Sequence, residues 1–86
     1  MINPREHSVG WALFVSEFAD AHEHLGKLIS DLYGDSEYDE ANLRIDLGHV
    51  LAHLNRAWVR RNVVDDLTES EWEGAREFSA DLQPIA

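Results

Sequence analysis

Hydrophobic residues recur at intervals of three and four along most of this chain, which is the period of an α-helix with one buried face. The pattern predicts three helices, near residues 4–33, 37–62 and 69–82, and no β-strand. Because the connection between the first two helices is short, they are expected to form an antiparallel hairpin. The expected fold is all-α: a single domain over residues 1–86, with a long helix hairpin and a shorter third helix.

Polar residues at the predicted helix ends support these boundaries. The segments Asn3–Glu6 and Thr68–Glu71 have the spacing of capping boxes, in which two side chains satisfy free backbone N–H groups. Ser36 is a suitable N-cap for the second helix, and Gly34 is a suitable stop for the first. Ser8 is an alternative start for the first helix.

The second helix carries two apolar faces, which is the most unusual feature of the pattern. Its wide face consists of Leu43, Leu47, Val50, Leu51, Leu54 and Trp58. Ile45, Ala52 and Val59 recur every seven residues on nearly the opposite side. A helix with two apolar faces needs two neighbours, and a third helix of about 14 residues spans only roughly 21 Å of a hairpin of roughly 36 Å.

A second copy of the chain is the simplest neighbour, so the sequence predicts a homodimer that forms a helical bundle. The residues expected at its interface are Ile45, Ala52, Val59, Leu25, Leu28, Leu32, Leu43 and Leu47.

Aromatic residues are expected to meet at the open end of the hairpin. Trp11 lies 23 residues before Gly34, and Trp58 lies 21 residues after Glu37, so the two rings should be at the same level. Together with Phe14 they are interpreted as core, since aromatic residues at helical spacing usually pack inside. No cofactor is predicted.

The charge of the chain limits its partners. With 17 acidic and 7 basic residues the net charge is −10, which argues against nucleic acid and against an anionic membrane surface. The charge is uneven, because residues 41–64 carry four arginines and one acid between two acidic segments. The simplest interpretation is pairing within the chain; the alternative is a basic strip that binds an acidic ligand.

Other features of composition exclude further classes. The chain has no Cys, so disulfides, thiolate metal sites and Cys nucleophiles are excluded. No apolar run approaches the length of a membrane span, and the first residues lack the pattern of a signal peptide. The expected location is the cytoplasm.

One trio on the second helix has the spacing of metal ligands: Asp46, His49 and His53. The first helix repeats the spacing with Glu17, Asp20 and His24. A lone helix supplies at most three ligands, and Arg56 and Arg60 on the same strip would repel a cation. The expectation is therefore that His49 and His53 face solvent without a metal and form ion pairs with acids of another helix or a second chain.

No catalytic motif is present, and the chain is not expected to be an enzyme. The first hypothesis for its function is a small acidic interaction or adaptor protein that acts through homodimer or partner-helix packing. The second is an acidic inhibitor or antitoxin-like partner of a basic protein, because the third helix is strongly acidic. The third is a metal-binding helical bundle that uses Asp46, His49 and His53.

Overall fold

The computed structural model describes residues 1–85 and is built from three helices joined by short connections. Helix α1 spans Ser8–Gly34, α2 spans Glu40–Arg60 and α3 spans Glu69–Gly74. The two long helices pack against each other as a hairpin, which confirms the predicted all-α fold. Residues 1–85 contain no β-strand. None of the helices among these residues has the length and hydropathy required to cross a membrane.

Helix α1 begins at Ser8, four residues later than the main prediction. The side chain of Asn3 does accept hydrogen bonds, from the backbone N–H groups of Arg5 and Glu6 at 3.1 and 2.8 Å, but it closes only a single turn. The preceding residue, Ile2, donates its backbone N–H to the carbonyl oxygen of Arg61 at 2.8 Å. The N-terminus therefore folds back onto the end of α2 instead of extending α1.

Helix α2 begins at Glu40 because Asp39, and not Ser36, is its N-cap. The Asp39 carboxylate accepts from the backbone N–H of Asn42 at 3.0 Å, and the Asn42 side chain accepts from the backbone N–H of Asp39 at 3.1 Å. Ser36 lies in the turn before this reciprocal cap. The start of α3 is the predicted capping box of Thr68 and Glu71.

Helix α3 is much shorter than predicted, because residues 75–82, here called the C-terminal segment, bind α2 through their backbone. The Asn55 side chain donates to the carbonyl oxygens of Ala75 and Glu77 at 2.7 and 2.8 Å. The side-chain oxygen Oδ1 of Asn55 accepts a hydrogen bond from the backbone N–H of Ser79 at 3.1 Å. These bonds replace the intrahelical bonds that would continue α3.

The C-terminal segment runs along α2 beside Asn55, where Ala75 and Phe78 line a pocket together with Leu51 and Ala52. Its Leu82 lines a groove together with Phe14 and Phe18 of α1. Ala52 and Val59 are half-buried, whereas Ile45 is 58% exposed. The indole N–H of Trp58 donates to the Asp81 carboxylate at 3.0 Å, which secures the far end of the segment.

The core is small for a chain of this length. Its buried hydrophobic residues are Ile2, Phe14, Ala21, Leu28, Val50, Ala57, Leu67 and Ala75. None of the large side chains within residues 1–85 is fully buried. Trp11 packs on the cluster of Ile2, Phe14 and Ala57, and Trp58 lines a groove beside the same Phe14 and Ala57. Both tryptophans thus lie at the open end of the hairpin, as the register predicts.

Candidate functional site

The hairpin has two chemically different sides. We call one the polar face; it consists of Glu17, Asp20, His24, His49, His53, Arg56 and Arg60. We call the other the apolar face; it consists of Phe18, Leu25, Ile29, Leu32, Leu47, Leu51 and Leu54. At about 100° of rotation per residue, these two sets lie on opposite sides of the contact between α1 and α2.

Glu17 is the centre of the polar face. It lies on the buried side of α1, one turn from Phe14 and one turn from Ala21, and its side chain is only 6% exposed. Its Oε1 atom lies 3.0 Å from Nδ1 of His53. Its Oε2 atom accepts from Nε of Arg56 at 2.9 Å and from Nε of Arg60 at 3.2 Å. A buried carboxylate thus has three partners, all supplied by α2.

These partners decide the ionisation of Glu17. Burial by itself would raise the pKa of the carboxyl group, but the hydrogen bond from His53, the charge of Arg56 and the hydrogen bonds from Arg60 and Arg56 outweigh it. The pKa of Glu17 therefore lies below its ordinary value, and the group is ionised at neutral pH. Nδ1 of His53 also lies 3.0 Å from Nη2 of Arg56. The carboxylate can only accept and the guanidinium can only donate, so the two contacts call for opposite tautomers of the ring.

The two arginines have partners besides Glu17 and, for Arg56, besides His53. Arg60 has a side chain that is 5% exposed, and its Nη1 donates to the carboxylate of Asp66 at 3.1 Å. Both guanidinium groups lie over the ring of Trp72, with Arg56 at 5.3 Å and Arg60 at 5.5 Å from its centroid. Glu17 and Asp66 offset the two positive charges, and within residues 1–85 every buried side-chain nitrogen and oxygen has a partner.

Three histidines lie beside this network, across the seam between the helices. The ring centroid of His24 lies 5.3 Å from that of His49 and 5.2 Å from that of His53. Asp20 is one turn before His24, and ligand atoms of Glu17, Asp20 and His53 all lie within 4.8 Å of one another. Acidic and imidazole groups of both helices therefore converge at one place.

The trio predicted on α2 is divided by the hairpin. Asp46 accepts a hydrogen bond from the Tyr38 hydroxyl at 2.7 Å, while His53 bonds to Glu17 of α1. The prediction that both histidines face solvent is wrong for His53, whose side chain is 16% exposed; His49 is exposed. The expected contact between a histidine of this strip and an acid of α1 is present between His53 and Glu17, at 3.0 Å.

The apolar face leaves seven large side chains in contact with solvent. Each of them is between 39% and 53% exposed. Because Glu17 is level with Arg56 and His24 is level with His49, Leu25 of α1 is level with the middle of α2, and the two rows form one continuous surface. At the open end this surface runs into a groove of about 390 Å³ that Phe18, Leu54 and Trp58 help to line.

The residues predicted at a dimer interface fall in three places. Leu25, Leu32 and Leu47 belong to the apolar face, and Leu43 borders it and is half-buried. Leu28 is 5% exposed and lies inside the hairpin. The remaining three form the second apolar line on the back of α2: Ile45, Ala52 and Val59.

From its spacing in the sequence, Glu17 is only one of three possible ligands on the first helix. Its signal was present, since an acid at position 17 interrupts a row of buried residues that continues at positions 14, 21 and 28. An acid within an apolar stripe indicates a buried ion pair, and the surplus of arginines on the second helix supplies the partner.

Comparison of the chain with protein-family models, with curated proteins and with solved structures found no significant match.

Proposed function

We propose that this protein is a helical interaction module that acts as a homodimer, in which the apolar faces of two hairpins cover each other. The observation that carries the proposal is the continuous row of half-exposed large side chains along both long helices. Isolated apolar side chains on a surface are ordinary, but a contiguous patch is typical of an interaction site.

The accessible surface area of the chain supports the proposal that a partner of the same size covers part of it. A compact protein of 9.8 kDa is expected to have a surface of about 5,200 Å². The area here is 6459 Å², an excess of roughly 1,300 Å². A standard interface removes roughly 800 Å² from each partner, so the excess is sufficient for one. The radius of gyration is 14.9 Å, against about 12 Å for a compact chain of this length. This elongated shape is consistent with a hairpin that forms one half of a four-helix bundle.

A second copy is the occupant that matches this surface best. Two hairpins related by a twofold axis place identical apolar rows against each other and form a four-helix bundle. The net charge of −10 per chain opposes this association, so apolar contact has to outweigh repulsion. The dimer is therefore expected to tighten as salt screens the charge, whereas a complex held by opposite charges would weaken.

Sedimentation equilibrium or light scattering at micromolar concentration tests the proposal. The expected mass is twice that of the 9.8 kDa chain, and added salt should lower the dimer dissociation constant. The double variant Leu25→Glu/Leu51→Glu should be monomeric with unchanged helical circular dichroism, because both side chains are already about two-fifths exposed.

The matched control is Ile45→Glu, an equally apolar-to-acidic change on the back of α2. It should leave the dimer intact. A wild-type monomer would overturn the proposal. A dimer that resists the Leu25/Leu51 change but separates with Ile45→Glu would also overturn it, and would assign the contact to the second apolar line.

A further inference from the structure

We propose that Asp20, His24, His49 and His53 form a binding site for a divalent transition-metal ion of the zinc class, on the polar face of a single hairpin. The proposal is independent of the dimer, because all four residues belong to one chain and lie on the side of the hairpin away from the apolar face.

The pairing of the ligands across the seam is the first observation. Each helix supplies two of them one turn apart: Asp20 and His24 on α1, and His49 and His53 on α2. Residues four apart on a helix project to the same side, so each pair acts as a chelate. The objection that one helix offers too few ligands does not hold for the hairpin, which brings two such pairs together.

The spacing of the imidazole rings is the second observation. Two imidazoles bound to one tetrahedral zinc ion, at a Zn–N distance of about 2.0–2.1 Å, hold their ring centroids about 5.2 Å apart. His24 is 5.3 Å from His49 and 5.2 Å from His53 by the same measure. The His24 ring therefore lies at the ring separation of co-ligands from both His49 and His53.

The support of His53 is the third observation. Metal-binding histidines usually donate their other ring N–H to a carboxylate, which fixes the tautomer and orients the ring. Oε1 of Glu17 lies 3.0 Å from Nδ1 of His53, and Glu17 is itself fixed by two arginines. Because Nδ1 contacts Glu17 and Arg56, Nε2 is the ring atom assigned to the metal. Asp20 contributes an exposed carboxylate that lies close to both residues.

Arg56 lies next to the site, with Nη2 3.0 Å from Nδ1 of His53, but both arginines are paired with Glu17. Both guanidinium groups bond to the far oxygen of Glu17, and Arg60 is further neutralised by Asp66. The local charge of Glu17, Asp20 and Asp66 exceeds that of Arg56 and Arg60 by one negative unit. A dication placed among the imidazoles therefore meets a net negative surrounding.

Isothermal titration of the full chain with Zn²⁺ at neutral pH tests the assignment, and Co²⁺ provides a spectroscopic probe. The expected result is one ion per chain, with the intense visible absorption of four-coordinate cobalt. Asp20→Asn and His49→Ala should each weaken Zn²⁺ binding at least tenfold, in line with losses on removing groups that hold a metal. Both residues are exposed, so the fold should survive either change.

The matched controls are Glu23→Gln and His22→Ala, which change an exposed acid and an exposed histidine elsewhere on α1. They should leave Zn²⁺ affinity unchanged. Absence of saturable binding would overturn the proposal, as would an equal loss of affinity in His22→Ala. The Leu25→Glu/Leu51→Glu variant should retain the site; loss of Zn²⁺ binding there would overturn the assignment to a single hairpin.

Discussion

Replacement of Glu17 by Gln is the sharpest test of how the polar face stabilises the fold. The variant keeps the size of the side chain but removes the charge that pairs with Arg56 and Arg60 and that lies against His53. Removing one member of a buried ion pair typically costs about 3–5 kcal/mol, because the remaining charge stays buried without its partner.

The expected cost here is about 3 kcal/mol, at the lower end of that range. Arg60 keeps its bond to Asp66, and both guanidinium groups keep their contact with Trp72, so neither loses every partner. A domain of this length has a free energy of unfolding of roughly 4–13 kcal/mol, so the variant should lose between about a quarter and three quarters of it. The melting temperature should fall by about 12–24 °C.

Urea unfolding followed by circular dichroism measures this loss at neutral pH, with Glu23→Gln as the matched control. Glu23 is exposed on the same helix, and its replacement should change the free energy of unfolding by less than about 0.5 kcal/mol. A cost below about 1 kcal/mol for Glu17→Gln would refute the reasoning, because it would mean that the arginines stabilise the fold without this carboxylate.

The same comparison has a defined pH dependence. The pKa of Glu17 is lower in the folded chain than its ordinary value of 4.5. Its contribution to stability is therefore complete above the unfolded value and is lost as pH falls through the folded value. The difference between the wild-type chain and Glu17→Gln should be constant at neutral pH and should shrink in acid. A difference that persisted unchanged in acid would contradict the assignment.

Two further predictions concern other positions in the fold. Gly10→Ala should lower the free energy of unfolding, measured in urea, by about 3 kcal/mol, because the new Cβ would overlap the carbonyl group of Val64. Gly26→Ala should instead stabilise α1 by about 0.8 kcal/mol, because nothing in the described chain lies within 4 Å of its new Cβ. An equal effect of the two changes would contradict the close approach at Gly10. Burial and the hydrogen bond to Asp46 raise the pKa of Tyr38 to about 12. Asp46→Asn should therefore lower the pKa of Tyr38 in a spectrophotometric titration. An unchanged pKa would show that Asp46 does not affect the ionisation of Tyr38.

The helices followed from local patterns, whereas the site depended on contacts between helices. The recurrence of apolar residues every three and four positions along α1 and α2 was sufficient to predict the hairpin, since each apolar stripe needs only one apolar neighbour. The end of α3 was not predictable in the same way, because Asn55, distant in sequence, competes for its backbone. The pairing of Glu17 with Arg60 depends on the register between helices, which apolar spacing alone does not specify.

Candidate chemistry was recognised residue by residue but assigned to the wrong partners. Asp46, His49 and His53 were grouped because they share one helix, yet the structure combines His53 with Glu17 and Asp20 across the seam and gives Asp46 to Tyr38. The matching spacing of acids and histidines on α1 was the signal for this arrangement. It becomes informative only once the two helices are known to lie antiparallel.

The opposite placement of the polar and apolar faces has a consequence for valency. If two hairpins bury their apolar faces together, their polar faces point away from each other, and the assembled particle carries two equivalent sites on opposite sides. Such a particle would hold one ligand on each side, but it could not engage one flat surface with both sites, so avidity on a single surface would be absent. A monomeric variant would keep the affinity of its site and lose only the second site.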